Sequence, residues 1–379
     1  MASPFPYGFV SPLKYHLSTL ATVNYPGMKI SPLNFVKALL ENKPPINIAS
    51  INGSSPLSLN AQSGQIREAK VKYLQRRTDD DVSDTDECGT TFIHKYLEQS
   101  IEAPRFAQAG FFIDLPTLKR YEDAAMQLVQ TGNPNVPVLQ EVWTQIMHTV
   151  NAVLSKIDAA LISDVTFGVN VTTGNNSPKT LNINKLGNMY DLTNGLLELA
   201  NDYQENEFSG TAIIVGNGLF NRFANARAAT GVNAGGINVA SVFDYKWYFD
   251  IKTTSGWGAN QIGVFAPGTI GLVDFDNYMT FPRDRFGTSQ FTILPLPLET
   301  STGEVVTMNF NVQIKEVDCP STQLDTPYGT TAAGRGMEVY ISKNFGLWQL
   351  PTDAYAAGDR LAGVNGALNY DVTNDCVEC

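Results

Sequence analysis

The stretch Val138 to Asp164, VLQEVWTQIMHTVNAVLSKIDAALISD, decides the fold. Leu139, Val142, Trp143, Ile146, Val150, Val153, Leu154, Ile157 and Leu161 recur at steps of three and four, and neither Gly nor Pro interrupts them. An α-helix turns once every 3.6 residues, so this spacing gathers the apolar side chains into one stripe. The spacing predicts one helix of about 40 Å. The core of its stripe is expected to be Leu139, Trp143, Ile146, Val150, Val153, Ile157 and Leu161, and such a stripe needs other elements to cover it. A shorter helix is expected just before, from Asp114 as its cap through Tyr121 to Val129, and Gly132-Asn133-Pro134 stops it.

Downstream, VTFGVNV (165–171) reads as a strand, followed by a helix around Leu192 to Tyr203, a strand from Thr211 to Val215 and a helix from Leu219 to Ala228. Further strands are expected at Ile262–Phe265 and Thr269–Val273. The closing part is mostly extended: FTILPLP, then EVVTMNFNVQIKEVD with Val306, Met308, Phe310, Val312 and Ile314 in alternation, then MEVYISKNFGLWQLP. Helices and strands therefore share one α+β body, and the long helix is needed to cover the terminal strands.

Upstream, residues 1–60 are rich in Pro, Ser, Asn and Gly, with one short helix signalled by Ser31 as cap, Pro32 in its first turn and apolar Phe35, Leu39 and Leu40. This composition reads as an arm without a core of its own, expected to order against another subunit or against the body. Gln65 to Arg77 reads as an exposed strand and Thr91 to Ile101 as its return. Between them lie Asp79, Asp80, Asp81, Asp84, Asp86 and Glu87, closed by Gly89, which makes a long hairpin with an acidic tip. A calcium loop fails on register: counted from Asp84, the fifth position is Cys88 and the twelfth is Lys95 where a glutamate is required.

The 379 residues carry a net charge of -11, unevenly spread. Residues 1–77 hold nine basic residues, among them Arg67, Lys70, Lys72, Arg76 and Arg77, against Glu41 and Glu68, a net +7 that leaves -18 on the remainder. A basic front joined to an acidic body is expected to bind the body of another copy. Charged residues are only 17% of the chain, which suits a surface largely covered by protein. Neither a long apolar span nor a secretory start is read in the sequence, so a membrane or exported location is not expected.

Catalytic patterns are few. Gly216-Asn217-Gly218 follows the apolar AIIV and precedes a helix signal, as a dinucleotide-binding turn would, but Asn221 stands where a third glycine is needed. A tight turn is the preferred reading, and a nucleotide-using enzyme built on Gly216 and Gly218 is the rival. His16, His94 and His148 are scattered, and Arg283-Asp284-Arg285 reads as a local ion pair. Cys376 and Cys379 have metal-ligand spacing with no second pair; Cys88 and Cys319 stand apart. No cofactor, metal or catalytic residue is expected.

This order of parts resembles the Hong Kong 97 fold of the major capsid proteins of tailed double-stranded DNA phages, and the resemblance covers nearly the whole chain. Val138–Asp164 looks like the family's spine helix, residues 61–110 like its extended loop, and residues 1–60 like its N-terminal arm. Residues 180–289, with FSGTAIIVGNGLFNRF and VFAPGTIGLVDF, look like the axial domain, and 111–179 with 290–379 like the peripheral domain, where GRGMEVYISKNFGLWQLP resembles its last long strand. The resemblance implies an icosahedral shell built from hexamers and pentamers of this chain in the host cytoplasm. Portal, scaffold or decoration proteins would be its partners, and packaged DNA would be touched only non-specifically. The intersubunit contacts would be made by Arg67, Lys70, Lys72, Arg76 and Arg77 and by the acidic tip. An encapsulin-like compartment around protein cargo shares the same fold. Some members cross-link through a loop lysine; Thr78 to Thr90 contains none, so cross-linking is not expected.

Overall fold

The computed structural model describes residues 34–41, 68–74, 96–102, 105–114, positions between 116 and 127, and 137–182, 189–217, 244–275, 289–299, 305–317, 323–326, 329–332 and 336–373. In chain order the labelled elements are α1 (Asn34–Glu41), β1 (Glu68–Leu74), β2 (Tyr96–Glu102), β3 (Arg105–Asp114), α2 (Pro137–Asp164), β4 (Lys179–Asn182), α3 (Met189–Glu205), β5 (Ala212–Gly216), β6 (Tyr245–Phe249), β7 (Gln261–Phe265), β8 (Ile270–Phe275), β9 (Ser289–Glu299), β10 (Val305–Val317), β11 (Gln323–Thr326), β12 (Gly329–Ala332), β13 (Gly336–Gln349) and β14 (Ala367–Thr373).

The long helix α2 is unbroken over 28 residues, with Pro137 at its first position, where the missing N–H has no partner to lose. Trp143, Ile146, Val150, Val153, Ile157 and Leu161 are all buried, together with Val142 and Leu154 between them. The side chain of Leu139 lies outside the described residues. The stripe packs against an antiparallel sheet of order β3-β13-β10-β9, in which β8 continues along β13 beyond the end of β10. Ile113, Val312, Ile314, Val339, Ile341 and Phe345 face it from the sheet. On the outer strand β9, Pro295 and Pro297 stand two residues apart, opposite Asn309 and Thr307. Proline lacks an N–H, so this edge is tolerant of both and offers fewer donors to another strand.

A second sheet, of order β4-β14-β7-β5-β6, is mixed, with parallel pairs at β4/β14 and β5/β6. Helix α3 covers it through Leu196, Leu199 and Tyr203, over Ile214, Val264, Tyr370 and Val372. The α+β content is therefore divided between two sheets, each with its own helix.

Two expectations are corrected here. Residues 165–171 form no ladder strand: Gly168 N–H donates to the Ala367 carbonyl at 3.0 Å, Val169 N–H to the Gly363 carbonyl at 2.9 Å, and Thr166 N–H to the Gln349 side chain at 3.0 Å. The donors of this stretch are thus spread over the start of β14, a loop carbonyl and a side chain of β13, and no single strand pairs with it. Asp114 is the last residue of the ten-residue strand β3, which begins at Arg105 inside the range expected for the extended loop; the described helical positions start at 116. Strand pairing links the ranges expected for the axial and peripheral domains, since β14 joins the sheet of β7 and β5 while β8 joins β13. α1 is ordered against the body, one of the two places expected for it: Phe35, Val36, Ala38 and Leu39 are buried in the core formed around α2.

Candidate assembly interface

The basic strand of the extended loop folds as expected in kind. β1 and β2 pair antiparallel, with Lys70 opposite Ser100, Lys72 opposite Glu98 and Glu68 opposite Glu102. Among the described residues this hairpin is a sheet of its own, joined to neither of the five-stranded sheets by strand pairing. Two strands alone bury little apolar surface and are marginal in water, and of this hairpin Leu97 on β2 packs against the core of the second sheet. Arg67, Arg76, Arg77 and the tip residues Asp79, Asp80, Asp81, Asp84, Asp86 and Glu87 lie outside the described residues, as do the helix expected from Leu219 to Ala228, Gly218, Arg283, Asp284, Arg285, His16, His94 and all four cysteines.

The rest of the site is a rigid frame. At the C-terminal end of α2 the exposed carbonyls disfavour a carboxylate, and Asp164 sits there; Arg105 at the start of β3 forms an ion pair with it. Burial raises the pKa of the Asp164 carboxyl, and the Arg105 guanidinium pulls it partly back. The contact ties the helix to the strand that immediately follows the hairpin. Another tie is polar and buried. Lys179 Nζ donates to both oxygens of Asp202 at 2.9 Å and pairs with Glu198 at 2.9 Å, while the Tyr370 hydroxyl donates to Asp202 at 3.0 Å and the Asn170 amide to it at 3.3 Å. Burial works against the Lys179 ammonium, but its two carboxylates outweigh it and leave the pKa above the usual lysine value. Burial and the Asp202 charge push the Tyr370 phenol well up. This network joins α3, β4, β14 and the loop after α2. Its residues are far apart in sequence, and no spacing signalled it.

The nucleotide-like turn has a structural explanation. A Cβ on Gly216 would come within 2.5 Å of Ile262 Cγ2, so the glycine permits close approach of β5 to β7. Its carbonyl accepts from Asp250 N–H at 2.8 Å, and Asn217 donates to the Thr254 hydroxyl at 3.1 Å, so both are occupied within the protein. His148 is exposed on α2. Among the described residues no cluster of three or more metal-ligating side chains occurs, and no helix is long and apolar enough to cross a membrane.

No family model matches the sequence, and no curated protein matches it. Among solved structures the chain is similar to one titled "Mycobacterium phage Bobi", at 10% identity over 96% of this chain and 99% of that one, with a TM-score of 0.44. It is similar also to the "Cyanophage A-1(L) capsid asymmetric unit", at 12% identity over 93% and 96% of the two chains, TM-score 0.42. A third likeness is to the head structure of Helicobacter pylori bacteriophage KHP40, at 10% identity over 84% and 87%, TM-score 0.34.

Proposed function

We propose that this chain is the major capsid protein of a tailed double-stranded DNA phage. Copies associate as hexamers and pentamers into an icosahedral head, assembled in the host cytoplasm, that encloses the genome. Assembly, not catalysis, is its work, with portal, scaffold or decoration proteins as further partners and DNA held without sequence preference.

The observation that carries this reading is the β1–β2 hairpin, a two-stranded sheet without a strand partner among the described residues, attached directly to a frame braced by a 28-residue helix. A marginal element on a rigid support is stabilised by the surface of a neighbouring copy. The charge division supports the same partner: a front of +7 against a remainder of -18 makes copies of this chain attractive to one another. Exposed ion pairs contribute at most about 1 kcal/mol each. Summed over many copies they hold a shell while each contact stays reversible, which lets misplaced subunits leave during growth.

The test is charge reversal at Arg67, Lys70, Lys72, Arg76 and Arg77 together. The variant is expected to remain folded by circular dichroism and to yield no closed particles in the electron microscope. Particles indistinguishable from those of the unaltered chain would refute the role given to the hairpin. The content of native particles separates a phage head from a cargo compartment: nuclease-protected DNA is expected, and enzyme cargo without DNA would favour the compartment.

A further inference from the structure

The N-terminus of α1 is held by two buried aspartates from distant parts of the chain. Val36 N–H donates to Asp158 Oδ1 at 3.1 Å, and Phe35 N–H donates to Asp250 Oδ2 at 3.2 Å. Asp158 comes from the middle of α2 and is 0% exposed; Asp250, directly after β6, is 5% exposed. The other oxygen of Asp158 is buried and receives no N–H or hydroxyl donor. Two carboxylates in one dry site repel unless one of them carries a proton. With a proton on that oxygen, Asp158 donates to Asp250 while both keep accepting from the helix amides, and the site is satisfied.

We propose that Asp158 and Asp250 form a proton-dependent latch that fastens α1, and with it the chain on either side, to the body, and that alkaline pH opens it. The remaining charges around the latch fit this use. Lys252 does not neutralise the pair directly, because its Nζ is taken by the Ser155 carbonyl and hydroxyl; its backbone N–H donates to Asp250 Oδ1 at 2.9 Å. On α1, Glu41 accepts from the Tyr248 hydroxyl of β6, and Lys37 is half-buried. On α2, Lys156 is exposed, and on β6, Lys246 is half-buried. The neighbouring β5 carries no charged residue. Aromatic contacts complete the dock: Phe35 meets Trp257 edge-on at 6.0 Å and Phe265 at 6.1 Å between ring centres.

Burial first, then the charge and hydrogen bond of Asp250, raise the Asp158 carboxyl to about 8, against the opposing pull of the Val36 amide and Lys252. Its value when exposed is 3.8, so the docked form binds the proton that the released form loses. Docking is therefore firmest below that exposed value, weakens as pH rises and has lost this contribution once pH passes about 8.

Hydrogen exchange of the full-length protein, followed at the amides of residues 34–41 and corrected for intrinsic rates, tests the latch on the soluble subunit. The outcome does not depend on whether shells form. Protection is expected to fall towards about tenfold per pH unit between about pH 6 and 8, and to level off above. Asp158→Asn keeps an acceptor for Val36 and a donor for Asp250 without a titrating proton, and is expected to make protection independent of pH. Should that variant fold poorly, Asp250→Asn removes the repulsion and is expected to shift the levelling point to lower pH. Unchanged protection across this range in the natural chain, or the same slope in the Asn variants, would overturn the proposal.

Discussion

Asp202 is completely buried, yet its carboxylate keeps three polar neighbours, Lys179, Tyr370 and Asn170, of which Lys179 carries the positive charge. Burial alone would make a charge there very costly. Lys179→Met removes the compensation and leaves only the Tyr370 hydroxyl and the Asn170 amide. Breaking one partner of a buried pair typically costs about 3–5 kcal/mol, and a loss near the lower bound is expected in urea unfolding, because two hydrogen bonds remain. An unchanged midpoint would mean that the network adds nothing to stability. At this scale the sequence was least informative. Asp202, Lys179, Asn170 and Tyr370 carry no mutual spacing, and the Asp158–Asp250 pair spans 92 positions of chain. Such groups meet only after the sheets have formed.

At the scale of elements, local pattern and hydrogen-bond supply explain what was readable. Helix α2 declares itself because its stripe repeats through seven turns without a breaker, and β9, β10 and β13 because alternation or continuous apolar runs persist over eleven to fourteen residues. β3 escaped notice since Phe106, Phe111 and Phe112 stand on both sides of its period, while the face turned to the core is carried by small Ala107 and Ala109 beside Phe111 and Ile113. VTFGVNV shows the opposite failure: strand-like composition, but donors divided among the Ala367 and Gly363 carbonyls and the Gln349 side chain. α1 was legible as a helix and not as a core element, because eight residues cannot reveal that Asp158 and Asp250 await their amides. The helix stripe itself is open to a direct check. Trp143 is 4% and Ile146 2% exposed, so replacing both by Asp places two unpaired charges against the sheet. Each is expected to cost several kcal/mol, together comparable to the whole stability of about 5–15 kcal/mol, so the variant should lose its cooperative melting transition. A melting curve like that of the natural chain would show that the stripe is not a core.

For the whole molecule, the decisive property is that its parts are unequal. Among the described residues the two five-stranded sheets pack against helices, while the β1–β2 hairpin pairs with no further strand and reaches the core only through Leu97, and charge of opposite sign is separated along the chain. A subunit built in this way is finished only by its neighbours. The measurement that bears on this most directly is cryo-electron microscopy of the full-length chain expressed alone or with its scaffold, after size-exclusion chromatography. Closed particles are expected in which each hairpin rests on the acidic body of an adjacent copy. A stable, monodisperse monomer at concentrations far above those in an infected cell would contradict the account.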